Sequence, residues 1–506
     1  MEGKTRSLSW FRLFAALPAW WSLRLFPNSA VLTNENCTPP RGIVHGIVLA
    51  VLSGALLLTR LSCPLLEPEE ARYAEIPRQM LVEGRFAEPV LHGEPYYQKP
   101  PLLYWLVMLS YSVFGVHDWA VRLVPCLASF ATVFVIWLWG RRAFGPRIGF
   151  AGAVLLILSG RFIYLGRMLT IDPLLSLWVT AALATGHLAV RQQPLRWRWW
   201  LTSALFVGLG LLTKGPVAGV LALAPLVIYQ LLDQRCARPS LRALVAYVSV
   251  AIGVACPWYV AMAFANPTAA GDFFWVHHVQ RFFEPMDHQE PIWFFLPSLL
   301  AGTLPWSLLL IPLARWLLRR ARVAAATRPP ALGFALVALG WCVLFFSLSG
   351  CKRAVYILPA LPWLAACLGC CFSQAPWRGW RWRPSPLIWK LSTAAVFMVL
   401  FVGVYELLPR YHRQFSLRGQ IRRHLEAGGE VMCYPKRWDS VSFYLQRGDV
   451  RVFTSEQKDE FIAALQERPD ALLLIKNKHL AELKGKLPTT LVTAGRQSER
   501  LCVLAK

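Results

Sequence analysis

The feature that most constrains this chain is a series of apolar blocks, each long enough to cross a lipid bilayer as a helix. A helical crossing takes roughly 20 predominantly apolar residues. On that basis we predict about eleven membrane-spanning helices, and at most about thirteen. The eleven blocks are residues 43–60, 120–140, 148–166, 173–190, 199–213, 216–232, 243–263, 293–314, 331–349, 356–373 and 387–408.

The composition agrees with a membrane protein. Of 506 residues, 56% are hydrophobic and 16% are charged, whereas a soluble domain of this size needs more polar surface. The formal net charge is +25, but the basic residues are scattered in short runs between apolar blocks and form no stripe on a soluble domain. This pattern favours contact with anionic lipid head groups over nucleic-acid binding.

The loops between the blocks alternate between two kinds, and the alternation predicts the topology. One kind is rich in arginine, and the other holds carboxylates, histidines and isolated cations. Because Lys and Arg concentrate in short cytoplasmic loops, the arginine-rich set is predicted to be cytoplasmic and the other set periplasmic. Residues 101–117 are then a juxtamembrane or re-entrant helix, since counting them as a span would reverse every later loop. The arginine-rich set contains Arg141, Arg142 and Arg147; Arg191, Arg196 and Arg198; Arg235, Arg238 and Arg242; Arg315, Arg319, Arg320, Arg322 and Arg328; and Arg378, Arg381, Arg383 and Lys390.

The predicted fold is an all-α polytopic membrane domain with a small C-terminal α/β domain outside the membrane. Residues 1–42 form a basic and aromatic cytoplasmic segment, with an interfacial helix expected at 8–26. Residues 43–408 form the membrane domain, with a first outer loop at 61–118. Residues 409–506 alternate short β-rich runs with polar helical stretches, which is typical of an α/β domain. Cys433 and Cys502 both lie there and could pair in an oxidising compartment.

Carboxylates and cations collect on the predicted periplasmic side. The first outer loop contains seven glutamates and several cations, and later outer loops add further charges of both signs. A reaction that uses a carboxylate base and releases an anionic phosphate needs both types of charge in one place. The later outer-loop residues are Arg167, Asp172, Lys214, His277, His278, Arg281, Glu284, Asp287, His288, Glu290, Lys352, Arg353 and Tyr356.

Two motifs in the first outer loop carry a family resemblance. EEARYAEIP at residues 69–77 and YYQKPP at 96–101 resemble the first loop of the aminoarabinose transferases that modify lipid A, which are grouped with the protein O-mannosyltransferases in the GT-C superfamily. RMLTIDPLL, LTKGP, HHVQRFF and KRAVYILPALP are similar to that family's later motifs, in the same order. The resemblance covers roughly residues 43 to 375 and implies inverting transfer of a sugar from a polyprenyl-phosphate carrier to an acceptor hydroxyl or phosphate.

The resemblance also implies roles for individual residues. Glu69 stands at the family's base position, where relatives carry Asp, and is the candidate general base. Glu70 and Asp172 complete the candidate catalytic set. Gln98 stands where relatives often carry Glu, so no metal ligand is assigned and a divalent metal is left open. The candidate residues for binding the carrier phosphate and substrate are Arg72, Tyr73, Tyr97, Lys99, Lys214, Arg281, Lys352, Arg353 and Tyr356, with Lys99 and Arg281 foremost for the phosphate.

Two sets of alternatives stay open at this point. A flippase or transporter of a lipid-linked substrate would also need a membrane domain, although such proteins usually show internal repeats and polar residues near mid-bilayer. Within the enzyme class, the sugar could be aminoarabinose, galacturonic acid or a neutral hexose, and the acceptor could be lipid A, core saccharide or protein. A few side chains decide these choices.

Overall fold

The computed structural model describes residues 39–284, 288–319, 328–373, 385–415, 430–448, 450–468, 471–475, 479–480, 483, 492–493 and 502–505. The predicted interfacial helix at 8–26, Asp287, and the loop arginines at 320, 322, 378, 381 and 383 lie outside these ranges. The described residues divide into two compact units. The first contains residues 39–57, Leu127–Gly166 and Asp172–Phe397, and the second contains Leu58–Cys126, Arg167–Ile171 and the described residues from Met398 onward.

Most of the described chain is helical. Its α-helices are Pro39–Leu57, Glu69–Glu83, Leu102–Phe114, Asp118–Ala143, Pro146–Ile157, Gly160–Arg167, Asp172–Val190, Trp197–Lys214, Pro216–Leu232, Leu241–Ala265, Pro267–Phe274, Arg281–Phe283, Phe295–Gly302, Leu310–Leu318, Ala331–Leu348, Leu361–Ser373, Pro386–Val402, Leu408–Phe415, Asp439–Leu445 and Lys458–Glu467. Trp275–Gln280 and Gly403–Leu407 are π-helical, and Trp306–Leu309 and Ala354–Ala360 are 3₁₀ turns.

Helices long and apolar enough to cross a membrane confirm a multi-span membrane protein. Among the described residues there are 6 such helices, or up to 8 if each of two bent pairs is one span. The pairs are Pro146–Ile157 with Gly160–Arg167, bent by 63°, and Phe295–Gly302 with Trp306–Leu318, bent by 106°. Helical residues lie in every one of the predicted blocks, but the count of eleven spans stays a prediction.

Small residues allow close helix packing in the first unit. A Cβ atom at Gly369 would lie 2.5 Å from the backbone nitrogen of Gly152, so the helices Leu361–Ser373 and Pro146–Ile157 touch through their backbones. Interfaces between membrane helices favour such small residues because dispersion contacts grow as the backbones approach.

In the second unit, Glu69–Glu83, hereafter the acidic helix, follows the first apolar block. It ends at Gly84, whose positive φ of 69° suits glycine and whose N–H donates to the Met80 carbonyl. Ile76 and Met80 pack against Tyr104 and Met108 of the helix Leu102–Phe114. This second helix has 13 residues, fewer than a bilayer crossing requires.

A mixed sheet forms the C-terminal part of the second unit. Its strands are β3 (Val431–Tyr434), β4 (Val450–Val452), β5 (Leu472–Ile475), β6 (Val492–Thr493) and β7 (Cys502–Ala505), and a two-stranded hairpin of β1 (Val90–Leu91) and β2 (Glu94–Pro95) precedes them. The strand order is β4-β3-β5-β7-β6. β3 runs parallel to β4 and β5, whereas β7 runs antiparallel to β5 and β6. Val431 and Cys433 pack into the apolar cluster on one face of the sheet, and Met432 and Tyr434 into the other, as expected of a strand buried on both sides.

The sheet rules out the disulfide considered between Cys433 and Cys502. Cys433 lies on β3 and Cys502 on β7, and β5 separates the two strands. Strands two positions apart are roughly 9 to 10 Å apart, whereas a disulfide needs Cα atoms within about 7 Å. Cys433 is a buried free thiol, and burial raises the pKa of this thiol to about 12.

Candidate functional site

The acidic helix carries the first candidate residues at its N-terminus, where the helix dipole favours negative charge. Glu69 and Glu70 occupy its first turn, and their environments differ. Glu69 is half-buried, whereas Glu70 is 1% exposed. Both residues were predicted from the sequence to belong to one catalytic set. In the structure they differ in solvent exposure, because only Glu70 is fully buried.

Glu70 is enclosed by hydrogen-bond donors. Arg122 binds it bidentately, with Nε 3.0 Å from Oε1 and Nη2 2.6 Å from Oε2. The backbone N–H groups of Leu66 and Leu169 each donate to one of its oxygens at 3.0 Å. Burial alone would raise the pKa of Glu70, but the charge and hydrogen bonds of Arg122 hold that pKa below its ordinary value. Glu70 is therefore an ionised carboxylate whose oxygens are already occupied.

Arg122 also fixes the backbone that leads into the acidic helix. Its guanidinium donates to the carbonyl oxygens of Leu61, Cys63 and Pro64. His412 Nδ1 lies 2.8 Å from the Pro64 carbonyl oxygen and 3.3 Å from Arg122 Nη2. Arg122 was not among the site residues predicted from the sequence. Its signal was a charge inside the apolar block 120–140, where a charged side chain needs a specific partner.

Arg72 pairs with a residue far along the chain. Its Nε lies 3.2 Å from Asp439 Oδ2, and the side chain is 37% exposed. Arg72, predicted from the sequence to bind substrate, thus forms an ion pair with Asp439. Tyr73, the next candidate, stacks on Tyr104 with ring centroids 6.2 Å apart.

Tyr97 and Lys99 follow the β1–β2 hairpin. The buried Tyr97 hydroxyl donates to the Glu88 carboxylate, and burial together with this carboxylate raises the pKa of Tyr97 to about 12. Lys99 is half-buried directly before Pro100. Tyr97 is therefore a neutral hydrogen-bond donor at physiological pH, and Lys99 supplies positive charge.

The first unit contains the second group of candidates. Asp172, 4% exposed, begins the helix Asp172–Val190 and accepts a hydrogen bond from Lys214 Nζ at 2.5 Å. The same Nζ lies 4.1 Å from the centroid of the Tyr356 ring, within range of a cation–π interaction. His278 Nε2 lies 3.2 Å from the Lys214 carbonyl oxygen. Three of the predicted residues, Asp172, Lys214 and Tyr356, therefore form one cluster.

More predicted cations lie around the same tyrosine. Arg281 and Arg353, like Asp172, lie close enough to Tyr356 for their charges to interact with its hydroxyl group. The backbone brings the two cation-bearing segments together, because the Gly350 N–H donates to the Phe282 carbonyl at 2.8 Å and the Lys352 N–H to the His288 carbonyl at 2.9 Å. Lys352 itself is 7% exposed. Arg281 and Arg353 thus lie near the Asp172 cluster, and the buried Lys352 lies on the same segment as Arg353.

A metal centre has no ready ligand set in the part of the chain that the structure describes. There, no group of three or more His, Cys, Asp or Glu side chains is arranged to hold an ion. The residues around the acidic helix and the Asp172 cluster each offer carboxylates, cationic side chains and phenol hydroxyls instead. This donor set suits an anionic phosphate and a proton transfer.

Sequence comparisons show which known proteins this chain is similar to. Residues 98–258 match the family model described as dolichyl-phosphate-mannose-protein mannosyltransferase. The undecaprenyl phosphate-alpha-4-amino-4-deoxy-L-arabinose arabinosyl transferase 1 of Pseudomonas fluorescens is 32% identical over 353 residues, which is 68% of this chain and 59% of that protein. Arabinosyl transferase 2 of Proteus mirabilis is also 32% identical, over 64% of this chain and 58% of its own length. The chain thus spans less than three fifths of the length of these relatives.

A solved structure shows the same fold. The crystal structure of ArnT from Cupriavidus metallidurans, bound to undecaprenyl phosphate, has a TM-score of 0.72 at 21% sequence identity and covers 92% of this chain and 97% of its own. The apo structure of that protein has a TM-score of 0.73 at 22% identity. The chain is thus similar in sequence to the aminoarabinose transferases and shares the fold of ArnT, and its residues 98–258 match the protein mannosyltransferase family model.

Proposed function

We propose that this chain is an inverting glycosyltransferase that moves a sugar from a polyprenyl-phosphate carrier to lipid A or another cell-envelope acceptor. Its curated relatives are named as undecaprenyl phosphate-aminoarabinose arabinosyl transferases, and its fold is that of ArnT. The active site faces the periplasm of the bacterial inner membrane, as the arginine-rich loops favour.

One observation carries the proposal. The EEARYAEIP motif forms the start of a helix on which Glu70 is fully occupied by Arg122, while Glu69 stays half-buried. Glu70 therefore fixes the motif. The half-buried Glu69 stands at the position that the family resemblance assigns to the base, and it is the carboxylate that we propose for proton transfer. This division supports Glu69 as the base, with Glu70 in a positioning role.

In the proposed reaction, Glu69 accepts a proton from the acceptor as the acceptor oxygen attacks the anomeric carbon of the sugar. The new bond forms on the face opposite the carrier, and the bond between that carbon and the carrier phosphate oxygen breaks. The carrier phosphate leaves with the bonding electron pair, so negative charge builds there in the transition state. Cations stabilise that charge more strongly than they stabilise the bound donor.

The roles of the remaining candidates follow from their chemistry. Lys99 and Arg281 bind the carrier phosphate, with Lys352 and Arg353 adding positive charge. Lys214 is held by Asp172 and Tyr356, which restricts its ammonium group to one position. Asp172 balances that charge and orients the lysine. The substrate roles of Arg72, Tyr73 and Tyr97 remain part of the proposal, although Arg72 also has the structural partner Asp439.

The test is a transfer assay with the purified full-length protein in lipid vesicles. We expect undecaprenyl phosphate-α-4-amino-4-deoxy-L-arabinose and lipid A to yield lipid A with one added pentose mass, resolved by mass spectrometry. Parallel donors carrying a galacturonic acid or a neutral hexose would identify the sugar. Movement of the intact donor across the bilayer, without any labelled acceptor in any of these reactions, would contradict the proposal and favour a flippase.

A further inference from the structure

The helix Asp439–Leu445, hereafter the latch helix, contacts the segment that carries the acidic helix. Asp439 Oδ2 accepts from Arg72 Nε at 3.2 Å, and Asp439 Oδ1 lies 2.8 Å from His92 Nε2. The Ser440 N–H donates to Glu67 Oε1 at 2.6 Å. These contacts join residues separated by more than 300 positions in the chain.

Tyr444, near the C-terminal end of the latch helix, contacts the residues that precede the acidic helix. Its hydroxyl oxygen accepts from the Leu65 N–H at 2.7 Å, and the hydroxyl donates to Asp118 Oδ1 at 2.9 Å. The latch helix therefore binds the chain at Leu65 and Glu67, ahead of Glu69, and at Arg72, behind it. Together these contacts bracket the proposed base on both sides.

The latch helix has its own support in the sheet. Val441 and Leu445, four residues apart, pack in one buried cluster with Val431 and Leu474 of the central strands. Asp439 is 7% exposed, whereas the side chains of Arg72 and His92 are 37% and 16% exposed, so its buried carboxylate meets two partners at the edge of the buried region. A change at the Asp439 carboxylate leaves the apolar contacts with the sheet in place.

We propose that Asp439 and Tyr444 are positioning residues for the transfer reaction, which hold the backbone on both sides of Glu69 in the geometry that proton transfer requires. The proposal rests on the proposed function, because it assigns the latch helix to the loop of the proposed base. A general base must lie within hydrogen-bond reach of the proton it removes, and a displacement of about 1 Å can cost about 100-fold in rate. Loosening the latch helix should therefore lower turnover without removing any group that contacts the donor.

The experiment compares the full-length wild type with Asp439→Ala, Asp439→Asn and Tyr444→Phe, and uses Asp459→Asn as the matched control. Asp459 is an exposed carboxylate on the helix Lys458–Glu467. Two quantities are measured: the kinetics of transfer from undecaprenyl phosphate-α-4-amino-4-deoxy-L-arabinose to lipid A, and hydrogen–deuterium exchange of the amides at 65–72.

We expect Asp439→Ala to lower kcat by about tenfold while the donor KM changes by less than about twofold. Asp439→Asn should lose less, because its amide oxygen still accepts a hydrogen bond from Arg72. Tyr444→Phe should resemble Asp439→Asn. Exchange at 65–72 should rise in the same order, and Asp459→Asn should change neither quantity.

Two results would overturn the proposal. One is wild-type kcat in Asp439→Ala and Tyr444→Phe under conditions in which Glu69→Gln is inactive, which would leave the proposed function intact. The other is unchanged amide exchange at 65–72 in both variants. This result would show that the latch helix does not hold that backbone, and it can be obtained even from a protein that transfers no sugar. A wild type without transferase activity would instead refute the proposed function.

Discussion

Glu69 and Glu70 are adjacent carboxylates with different proposed roles: Glu70 is structural, and Glu69 is the candidate base. Glu70 accepts two hydrogen bonds from Arg122 and two from backbone N–H groups, so protonating it would break a buried network. Glu69 is half-buried. Adjacent residues on a helix point about 100° apart, and this difference in direction separates the two side chains into a fixed group and a candidate base.

The proposed base gives the first prediction. Glu69→Gln keeps the shape of the side chain and removes the proton acceptor, so turnover should fall by roughly 100-fold or more. Glu69→Asp should be partly active, because relatives carry Asp at this position. Steady-state kinetics with the aminoarabinose donor and lipid A would measure both effects, with the exposed Glu94→Gln as the control. Near-wild-type turnover in Glu69→Gln would remove Glu69 from the role of base and leave Asp172 as the remaining candidate.

The pair of Glu70 and Arg122 gives a stability prediction. Removing one partner of a buried ion pair leaves an uncompensated charge, which costs about 3–5 kcal/mol. Arg122→Met should therefore destabilise the protein strongly, and more than Glu70→Gln does, because Arg122 also donates to three carbonyl oxygens. Thermal unfolding in detergent would measure this difference. Equal unfolding midpoints for Arg122→Met and the wild type would contradict the assigned network.

The phosphate-binding cations give the third prediction. Lys99→Ala and Arg281→Ala should each lower kcat/KM for the donor by roughly 10- to 100-fold, the value of one charge-assisted hydrogen bond. Lys390→Ala is the control, because Lys390 is exposed and belongs to the arginine-rich loops. Unchanged donor kinetics in both variants would remove Lys99 and Arg281 from the site.

At the scale of single elements, local patterns were predictable from the sequence and long-range pairings were not. The runs EVMCY, VRVFT and ALLLIKN contain β3, β4 and β5, and TLVTAG and ERLCVLAK contain β6 and β7. The strand order β4-β3-β5-β7-β6 has no counterpart in the local pattern, because strand neighbours are chosen by tertiary packing. Asp439 was missed for the same reason: one carboxylate in a polar stretch gives no sign that Arg72 is its partner.

The contact between the latch helix and Glu67 gives a prediction about pH. Burial raises the pKa of Glu67 to about 7. The charge of Asp439 contributes to this shift, whereas the Ser440 hydrogen bonds and Lys436 oppose it. The charge of Glu67 in turn contributes to the raised pKa of the nearby Cys433 thiol. Because the folded state binds the Glu67 proton more tightly than the unfolded state, this group favours folding at low pH and opposes it as the pH rises through about 7.

Glu67→Gln tests this linkage, because glutamine keeps an oxygen acceptor for the Ser440 N–H and cannot ionise. We expect the variant to be more stable than the wild type at about pH 8, and the difference to shrink or vanish at about pH 5. Thermal unfolding midpoints at both pH values would measure it, with Glu94→Gln as the control. A stability difference that does not depend on pH would show that Glu67 stays ionised in the folded protein.

At the scale of the whole molecule, the apolar blocks were sufficient to predict a multi-span helical membrane protein. They could not predict which blocks form one straight helix. Residues 148–166 and 293–314 each look like a single apolar span, yet bends of 63° and 106° divide the helices there. A bend arises when tertiary packing and local breakers such as Pro305 interrupt the backbone ladder, and a hydropathy window averages over that interruption.

The membrane topology gives the last prediction, and it decides on which face the proposed chemistry occurs. The experiment introduces one cysteine at a time at three exposed positions. Asp272 lies in the loop 264–292, Arg319 in the loop 315–330, and Ser455 in the C-terminal region. If the arginine-rich loops are cytoplasmic, a membrane-impermeant thiol reagent added from the periplasmic side should label Asp272→Cys and Ser455→Cys but not Arg319→Cys. Parental protein measures background labelling of the native thiols, and lysed membranes show that Arg319→Cys can react. The reverse labelling pattern would place the candidate residues on the cytoplasmic face and contradict the proposed reaction.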